Sequence, residues 1–239
     1  MNGLERNNMS LVKLFSILLF VTVANLTNAQ VGKIPVGFTP IFNGKNLNGW
    51  HTSRTSHQGT TGNFYVENGV IMLKQRPYGQ GGILLTNKKY GNFELYLEAK
   101  IDSFCNGGIF LRSSESGMAY QIELATPGGL GDLLGERMNV SKGAKATNIT
   151  KVWKVGGWNA FRIRMEGDIP RIRLWVNGEL MWDVTQPVND FIAGATSGMV
   201  GLQAHWSAVY SSASEAFEMS GSWKPDAAHR FRNIAIKEL

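Results

Sequence analysis

Period-two alternation between Phe93 and Leu124 constrains this chain more than any other feature. Phe93, Leu95, Leu97 and Ala99 alternate with Glu94, Tyr96, Glu98 and Lys100, and Tyr120, Ile122 and Leu124 alternate with Gln121 and Glu123. Successive side chains on a strand point to opposite faces, so each run reads as a strand with one buried face and one wetter face. Between them, Gly107-Gly-Ile-Phe-Leu-Arg112 puts Phe110 and Arg112 on one face and Ile109 and Leu111 on the other. With these three strands adjacent, Arg112, Gln121 and Glu123 meet on one sheet surface. A guanidinium, an amide and a carboxylate on rigid backbone make a polar site.

The rest of the chain follows the same grammar. Phe64–Glu67 and Val70–Leu73 flank Asn68-Gly69, and Arg171–Val176 and Glu179–Asp183 flank Asn177-Gly178. Asn-Gly is the dipeptide that favours a tight hairpin turn. Gly82–Thr86, Trp158–Met165, Val200–His205 and Phe231–Leu239 read as further strands. No segment after residue 29 sustains helical periodicity with caps. Many short strands with such turns predict an all-β protein, a sandwich of two antiparallel sheets or jelly roll. Residues 127–156 are polar and glycine-rich and read as a long excursion, a length usually given to functional or mobile loops. Asp132, Glu136 and Arg137 lie in it, either rimming a cleft or facing solvent.

The N-terminus reads as a leader. Lys13 precedes an apolar run from Leu14 to Ala24, and Thr27-Asn-Ala29 supplies small residues where a signal peptidase cuts. The run is short for a membrane span. Residues 1–29 are therefore expected to be a signal peptide and residues 30–239 one domain. The product is exported, periplasmic or extracellular, with no membrane association after cleavage. The formal charge of +6 is spread along the chain without a basic stripe, which argues against nucleic acid as a partner. The single cysteine, Cys105, excludes an intramolecular disulfide. No His/Cys cluster has metal-ligand spacing. No cofactor is expected, although loop oxygens leave a structural calcium open.

Three signatures in order carry a family resemblance. They are Phe42-Asn-Gly-Lys-Asn-Leu-Asn-Gly-Trp50, then Tyr90-Gly-Asn-Phe-Glu-Leu95 with Gly107–Arg112, then Trp158-Asn159, Trp175-Val-Asn-Gly178, Gly201-Leu-Gln-Ala-His205 and Phe231-Arg-Asn-Ile234. Together they resemble the 3-keto-disaccharide hydrolase domain family, formerly a domain of unknown function. The resemblance implies a concanavalin A-like jelly roll, export, and action on glycosides whose C3 hydroxyl has been oxidised to a ketone. An upstream sugar 3-oxidoreductase would then supply the carbohydrate substrate. The order of Gln121 and Glu123, Ala204, and a Ser/Ala-rich stretch from Trp206 to His229 depart from the family pattern.

A C3 ketone acidifies the C2 hydrogen. A base removes it, the enolate expels the group at C1, and water adds back. In this reading Glu123 is the base, Arg112 and His205 stabilise the oxyanion or donate a proton, and Gln121 positions the sugar. Phe110, Trp206 and Asp132 complete the substrate contacts, Trp206 by stacking on a pyranose. Structural alternatives stand beside each role: an Arg112–Glu123 ion pair across strands, a satisfied structural His205, and Trp50, Trp175 and Trp182 in the core. The Glu-x-Asp-x-x-Glu strand of laminarinase-type retaining enzymes is absent, since Gln121-Ile-Glu123 gives one acid. A Gly-x-Ser-x-Gly nucleophile elbow is absent too. The competing class is a lectin-like carbohydrate-binding module without catalysis, because fold alone does not fix function.

Overall fold

The computed structural model describes residues 32–207 and 223–239. The leader and most of the Ser/Ala-rich stretch lie outside these residues. In chain order the strands are β1 (Thr39–Pro40), β2 (Trp50–Thr52), β3 (Asn63–Glu67), β4 (Val70–Lys74), β5 (Gly82–Tyr90), β6 (Phe93–Ile101) and β7 (Gly107–Ser113). They continue as β8 (Ala119–Glu123), β9 (Leu133–Glu136), β10 (Asn159–Glu166), β11 (Arg171–Val176), β12 (Glu179–Thr185), β13 (Gly198–Ala204) and β14 (His229–Glu238). They form two antiparallel sheets. One runs β12-β11-β10-β6-β14-β4-β3, with β1 also on β14, and the other runs β2-β5-β13-β7-β8-β9.

The Asn-Gly turns form as their sequence dictates. Asn68 (φ 50°) with Gly69 (79°) and Asn177 (51°) with Gly178 (91°) adopt left-handed backbone at both central positions, the hairpin geometry whose twist matches the strands. Between the sheets lies one apolar core. It takes Leu95, Leu97, Phe161, Ile163 and Phe231 from the larger sheet and Leu84, Ile109, Leu111, Ile122 and Leu202 from the smaller. Burying these side chains supplies the main folding drive, about 25 cal/mol per Å² of apolar surface.

The alternation in β6 places Glu94 and Glu98 on the outer face of the larger sheet, where both are nonetheless buried. Neighbouring strands explain it. Register sets Arg164 opposite Glu94 and Arg232 opposite Glu98. Glu94 accepts from Arg162 Nη2 (2.6 Å) and Arg164 Nη1 (2.8 Å), and Glu98 accepts from Arg232 Nε (2.7 Å). Burial opposes the charge on Glu94, but the two arginines outweigh it and hold its carboxyl below the usual range.

The smaller sheet carries Gln121 and Glu123 on β8 and Gln203 on β13. Its face away from the core carries a separate apolar cluster of Ile83, Leu85, Phe110, Ala119 and Met199. By alternation Gln121, Glu123 and Gln203 share that face. Two expectations change here. The excursion at 127–156 contains β9, which extends the sheet beyond β8. Its run Leu133-Leu-Gly-Glu136 is too short and too interrupted to signal a strand alone. The second change is at Arg112. Phe110 pairs with Gly201 but Ser113 pairs with Met199, so β7 carries one extra residue between them. Arg112 sits in this bulge at φ 51°, which breaks the alternation predicted for it.

Candidate functional site

Glu123 ends β8 opposite Gly108, and Gln121 lies opposite Phe110. Glycine at 108 leaves the Gln121 side chain its place: a Cβ there would lie 2.7 Å from Gln121 Nε2. On the other side a Cβ on Gly129 would lie 2.9 Å from Glu123 Cγ. Bare backbone therefore closes on the pair from both sides. Gln121 Nε2 donates to Glu123 Oε2 at 2.6 Å and to Gln203 Oε1 at 3.2 Å. Glu123 is 7% exposed. Burial, then the negative fields of Glu136 and Asp132, push its carboxyl up to about 8, against the opposing effects of Asn106 and Lys145.

Glu123 lines a cavity of about 300 Å³ with Asn106, Asp132, Leu134 and Lys145, roofed by 127–129. The backbone of 131–132 continues the ladder, with Glu123 N donating to Asp132 O at 2.9 Å and Gly131 N to Glu123 O at 2.8 Å. Asp132 accepts from Ala146 N (2.9 Å) and Lys145 Nζ (2.7 Å), which holds the ammonium at the cavity. Two buried amide atoms in this neighbourhood, Asn106 Oδ1 and Gln203 Nε2, have no hydrogen-bond partner. Buried polar atoms are nearly always paired, so these two are hydrogen-bonding capacity left unused beside Glu123.

A second polar group flanks the first. His57 Nε2 donates to Glu136 Oε1, and the Gln58 amide crosses the pair, 3.3 Å from the same oxygen. His205 is placed by Gln75, whose Nε2 donates to both the His205 carbonyl (2.6 Å) and Ser207 Oγ (2.8 Å). The His205 ring donates from Nδ1 to Trp206 O at 2.7 Å, so its Nε2 carries the lone pair. Burial first, partly offset by that hydrogen bond and by Glu136, lowers its pKa and keeps the ring neutral at pH 7. His205 thus presents an acceptor where a proton donor was expected. Trp206 is 37% exposed and lies tilted beside His205, ring centroids 5.5 Å apart, leaving a surface for stacking.

Two of the expected residues lie elsewhere. Arg112 is four positions along β7 from the residue opposite Glu123, about 13 Å of strand. Its bulged backbone turns the guanidinium to Gly91 O (3.0 Å), Asn92 Oδ1 (3.1 Å) and Gly167 O (3.0 Å), so it ties two hairpin turns together. Phe110 shares the face of Gln121 but is fully buried in its apolar cluster and offers no surface to a sugar. Sequence reasoning did not single out His57, Gln58, Asn106, Lys145 or Gln203. They come from separate loops and strands, and no shared motif or spacing links them in the sequence. Among the described residues, no group of three or more His, Cys, Asp or Glu side chains could hold a metal ion.

Close backbone packing fixes the His57 and Trp206 loops. A Cβ on Gly81 would lie 2.4 Å from Ala204 O, 2.5 Å from Trp206 N and 2.6 Å from Gln58 O. All three are backbone atoms and cannot swing aside. Gly81→Ala is expected to destabilise the fold by about 1–3 kcal/mol, read as a lowered thermal midpoint. An unchanged midpoint would show that this contact does not lock the two loops.

Comparison with known proteins bears on this geometry. Residues 37–237 match the model of the 3-keto-alpha-glucoside-1,2-lyase-like domain. The chain belongs to this family. The 3-keto-alpha-glucoside-1,2-lyase-like family is a glycosyl hydrolase-like, carbohydrate-active one. Comparison with curated proteins finds no match. Two solved structures from Parabacteroides distasonis ATCC 8503, both provisionally assigned as glycosyl hydrolases, share the fold. One is 19% identical with a TM-score of 0.56, covering 85% of this chain and 94% of that one. The other is 20% identical with a TM-score of 0.54, covering 84% and 99%. A galectin-like protein of unknown function from Bacillus subtilis shares it at 8% identity and a TM-score of 0.54, covering 80% and 90%. At these identities the likeness concerns the jelly-roll fold.

Proposed function

We propose that this 3-keto-alpha-glucoside-1,2-lyase-like domain is an exported enzyme that cleaves glycosides carrying a ketone at C3, by elimination followed by addition of water. The observation that carries this reading is Glu123: a buried carboxyl, pushed up to about 8, in a cavity it shares with Asp132, Lys145 and Asn106, whose side chain hydrogen-bonds it. A carboxylate deprived of water is a stronger base than one in solution, and a ketone's α-hydrogen needs such a base.

Glu123 takes the C2 hydrogen as a proton. The electron pair left on C2 forms the enolate, whose negative oxygen is stabilised by the Lys145 ammonium. The enolate collapses to a C1=C2 bond as the C1–O bond breaks, and the leaving oxygen departs with that electron pair. The His57–Glu136 pair supplies a proton to the leaving oxygen where it is needed. Water then adds at C1, its released proton restores the His57–Glu136 pair, and Glu123, whose proton has exchanged with solvent, returns one to C2. Gln121, itself held by Gln203, fixes the Glu123 carboxyl rather than the sugar. His205 Nε2 accepts from a sugar hydroxyl, and Trp206 stacks on the ring. Such a substrate requires a preceding oxidation of the C3 hydroxyl, so a sugar 3-oxidoreductase acts upstream.

The test is turnover of a 3-keto glucoside and its unoxidised parent in deuterated water. Elimination and re-addition place solvent deuterium at C2 of the product, and the unoxidised parent is left intact. Cleavage of the parent, or product without deuterium at C2, would sink the mechanism. Glycan binding with no turnover of either would return the domain to the lectin class.

A further inference from the structure

Gly108 sits between two polar side chains on the face of the smaller sheet away from the core. Register sets it opposite Glu123 on β8 and opposite Gln203 on β13. The Gln121 amide lies over it, where a Cβ would otherwise stand, and bridges the two. Gln121 Nε2 donates to Glu123 Oε2 at 2.6 Å and to Gln203 Oε1 at 3.2 Å. All three side chains are buried, Gln203 completely. Both acceptors draw on the nitrogen of Gln121, so this arrangement is the one that suits an ionised Glu123. It leaves Gln203 Nε2 buried with no partner among the described residues.

We propose that Gln121 and Gln203 form a reversible amide chain, whose two side chains turn over together when Glu123 gains a proton. A protonated Oε2 is a donor, and it faces the Gln121 N–H, another donor. When Gln121 turns, its Oε1 accepts the Glu123 proton but then faces Gln203 Oε1, two acceptors together. When Gln203 turns as well, its Nε2 donates to Gln121 Oε1, and the chain is bonded in the opposite sense. No proton passes along it; each amide rotates about its last side-chain bond. Asn106 also hydrogen-bonds the carboxyl and is the competing choice. The unpaired atoms decide between them. Turning Gln203 replaces a stranded N–H group by a carbonyl, whereas turning Asn106 replaces its unpaired Oδ1 by a stranded N–H group. A buried N–H without a partner is rarer than an under-satisfied carbonyl, so the glutamines are the part that turns. Charge reaches Glu123 from Glu136, which His57 pairs with, and from Asp132 and Lys145. Among the described residues, none of these four bonds to either glutamine amide. His229, in the core behind Gly107, is pushed down to about 3 by burial and stays neutral. Gln203 does not touch the carboxyl and is a positioning residue. In the reaction proposed above, the reversal gives Glu123 an acceptor for the proton it takes from C2. That consequence rests on the proposed function; the reversal itself does not.

Neutron diffraction of deuterium-exchanged wild-type crystals tests this, because the oxygen and nitrogen of an amide look alike to X-rays. Data at about pD 5 and about pD 10 bracket the titration of Glu123, whose carboxyl is pushed up to about 8. At the higher pD the Gln121 deuterons should point to Glu123 and Gln203. At the lower pD Gln121 Oε1 should take their place, with a Gln203 deuteron aimed at it. In solution, the Gln203 side-chain N–H signal should move downfield as pH falls through about 8, and that of Gln121 upfield. Both should stay fixed in Glu123→Gln, where residue 123 has no proton to gain. The same amide orientations at both pD values, or a Gln203 signal that moves equally in Glu123→Gln, overturn the proposal. Reversal without turnover of any 3-keto glycoside keeps the amide chain and removes the proposed function.

Discussion

Replacement of Glu123 by glutamine is expected to lower kcat on a 3-keto glucoside by about 10³-fold, the scale of a lost general base, with the fold retained. The substitution keeps the shape and the bond to Gln121, since an amide oxygen accepts from Gln121 Nε2 as the carboxylate does. The pH profile separates base from acid. The carboxyl is held up to about 8, first by burial and then by Glu136. A base must be ionised, so kcat/KM should rise with pH through about 8 and level off above it. A fall through the same range would make Glu123 the acid and would overturn the direction of proton transfer proposed here.

The same shift predicts a change in stability. The folded pKa lies above the unfolded value of 4.5. The protonated group is therefore accommodated at low pH, and stability is lost as pH rises from about 4.5 to about 8, because the unfolded chain releases its proton first. Over that window wild type should lose stability relative to Glu123→Gln, on the order of 4 kcal/mol. Denaturant midpoints of the two proteins at pH 4 and pH 9 measure it. Parallel midpoints at both pH values would show that Glu123 is not held protonated.

Arg112→Met should cost stability rather than catalysis. The side chain is buried, and its guanidinium donates to Gly91 O, Asn92 Oδ1 and Gly167 O. Removing it leaves those acceptors without their charged donor, at about 3 kcal/mol. For a domain of this size that is a fall of roughly 6–12 °C in the thermal midpoint. Measured per folded molecule, kcat should stay within about twofold, because Arg112 lies about 13 Å along the strand from the residue facing Glu123. A large loss of kcat with an unchanged midpoint would return Arg112 to the site.

Arg112 and Glu123 also mark how far the sequence could be read. Both lie on runs whose alternation is plain, and both were expected on one surface. For Gln121 and Glu123 the alternation holds and the faces are as read. For Arg112 it fails, because pairing to β13 inserts one residue into β7 between Phe110 and Ser113. A bulge is set by register with a neighbouring strand, and no residue within β7 announces it. Lys145 and His57 were invisible for a related reason. Each lies in a loop with no motif around it and is brought to its position by a contact outside that loop, Lys145 with Asp132 and His57 with Glu136.

The sequence by itself determined the all-β class, the Asn-Gly hairpins, most of the strands and the family. These depend on local properties: the two-residue period of a strand, left-handed backbone at Asn-Gly, and motifs in fixed order. Tertiary structure alone decided which polar residues meet. It folded β9 onto β8 and closed Gly108 and Gly129 over the Gln121–Glu123 pair. It also buried Glu123 among other acids until its carboxyl rose to about 8. Burial and field are sums over neighbours distant in sequence, so they come into being only when the sheets have packed.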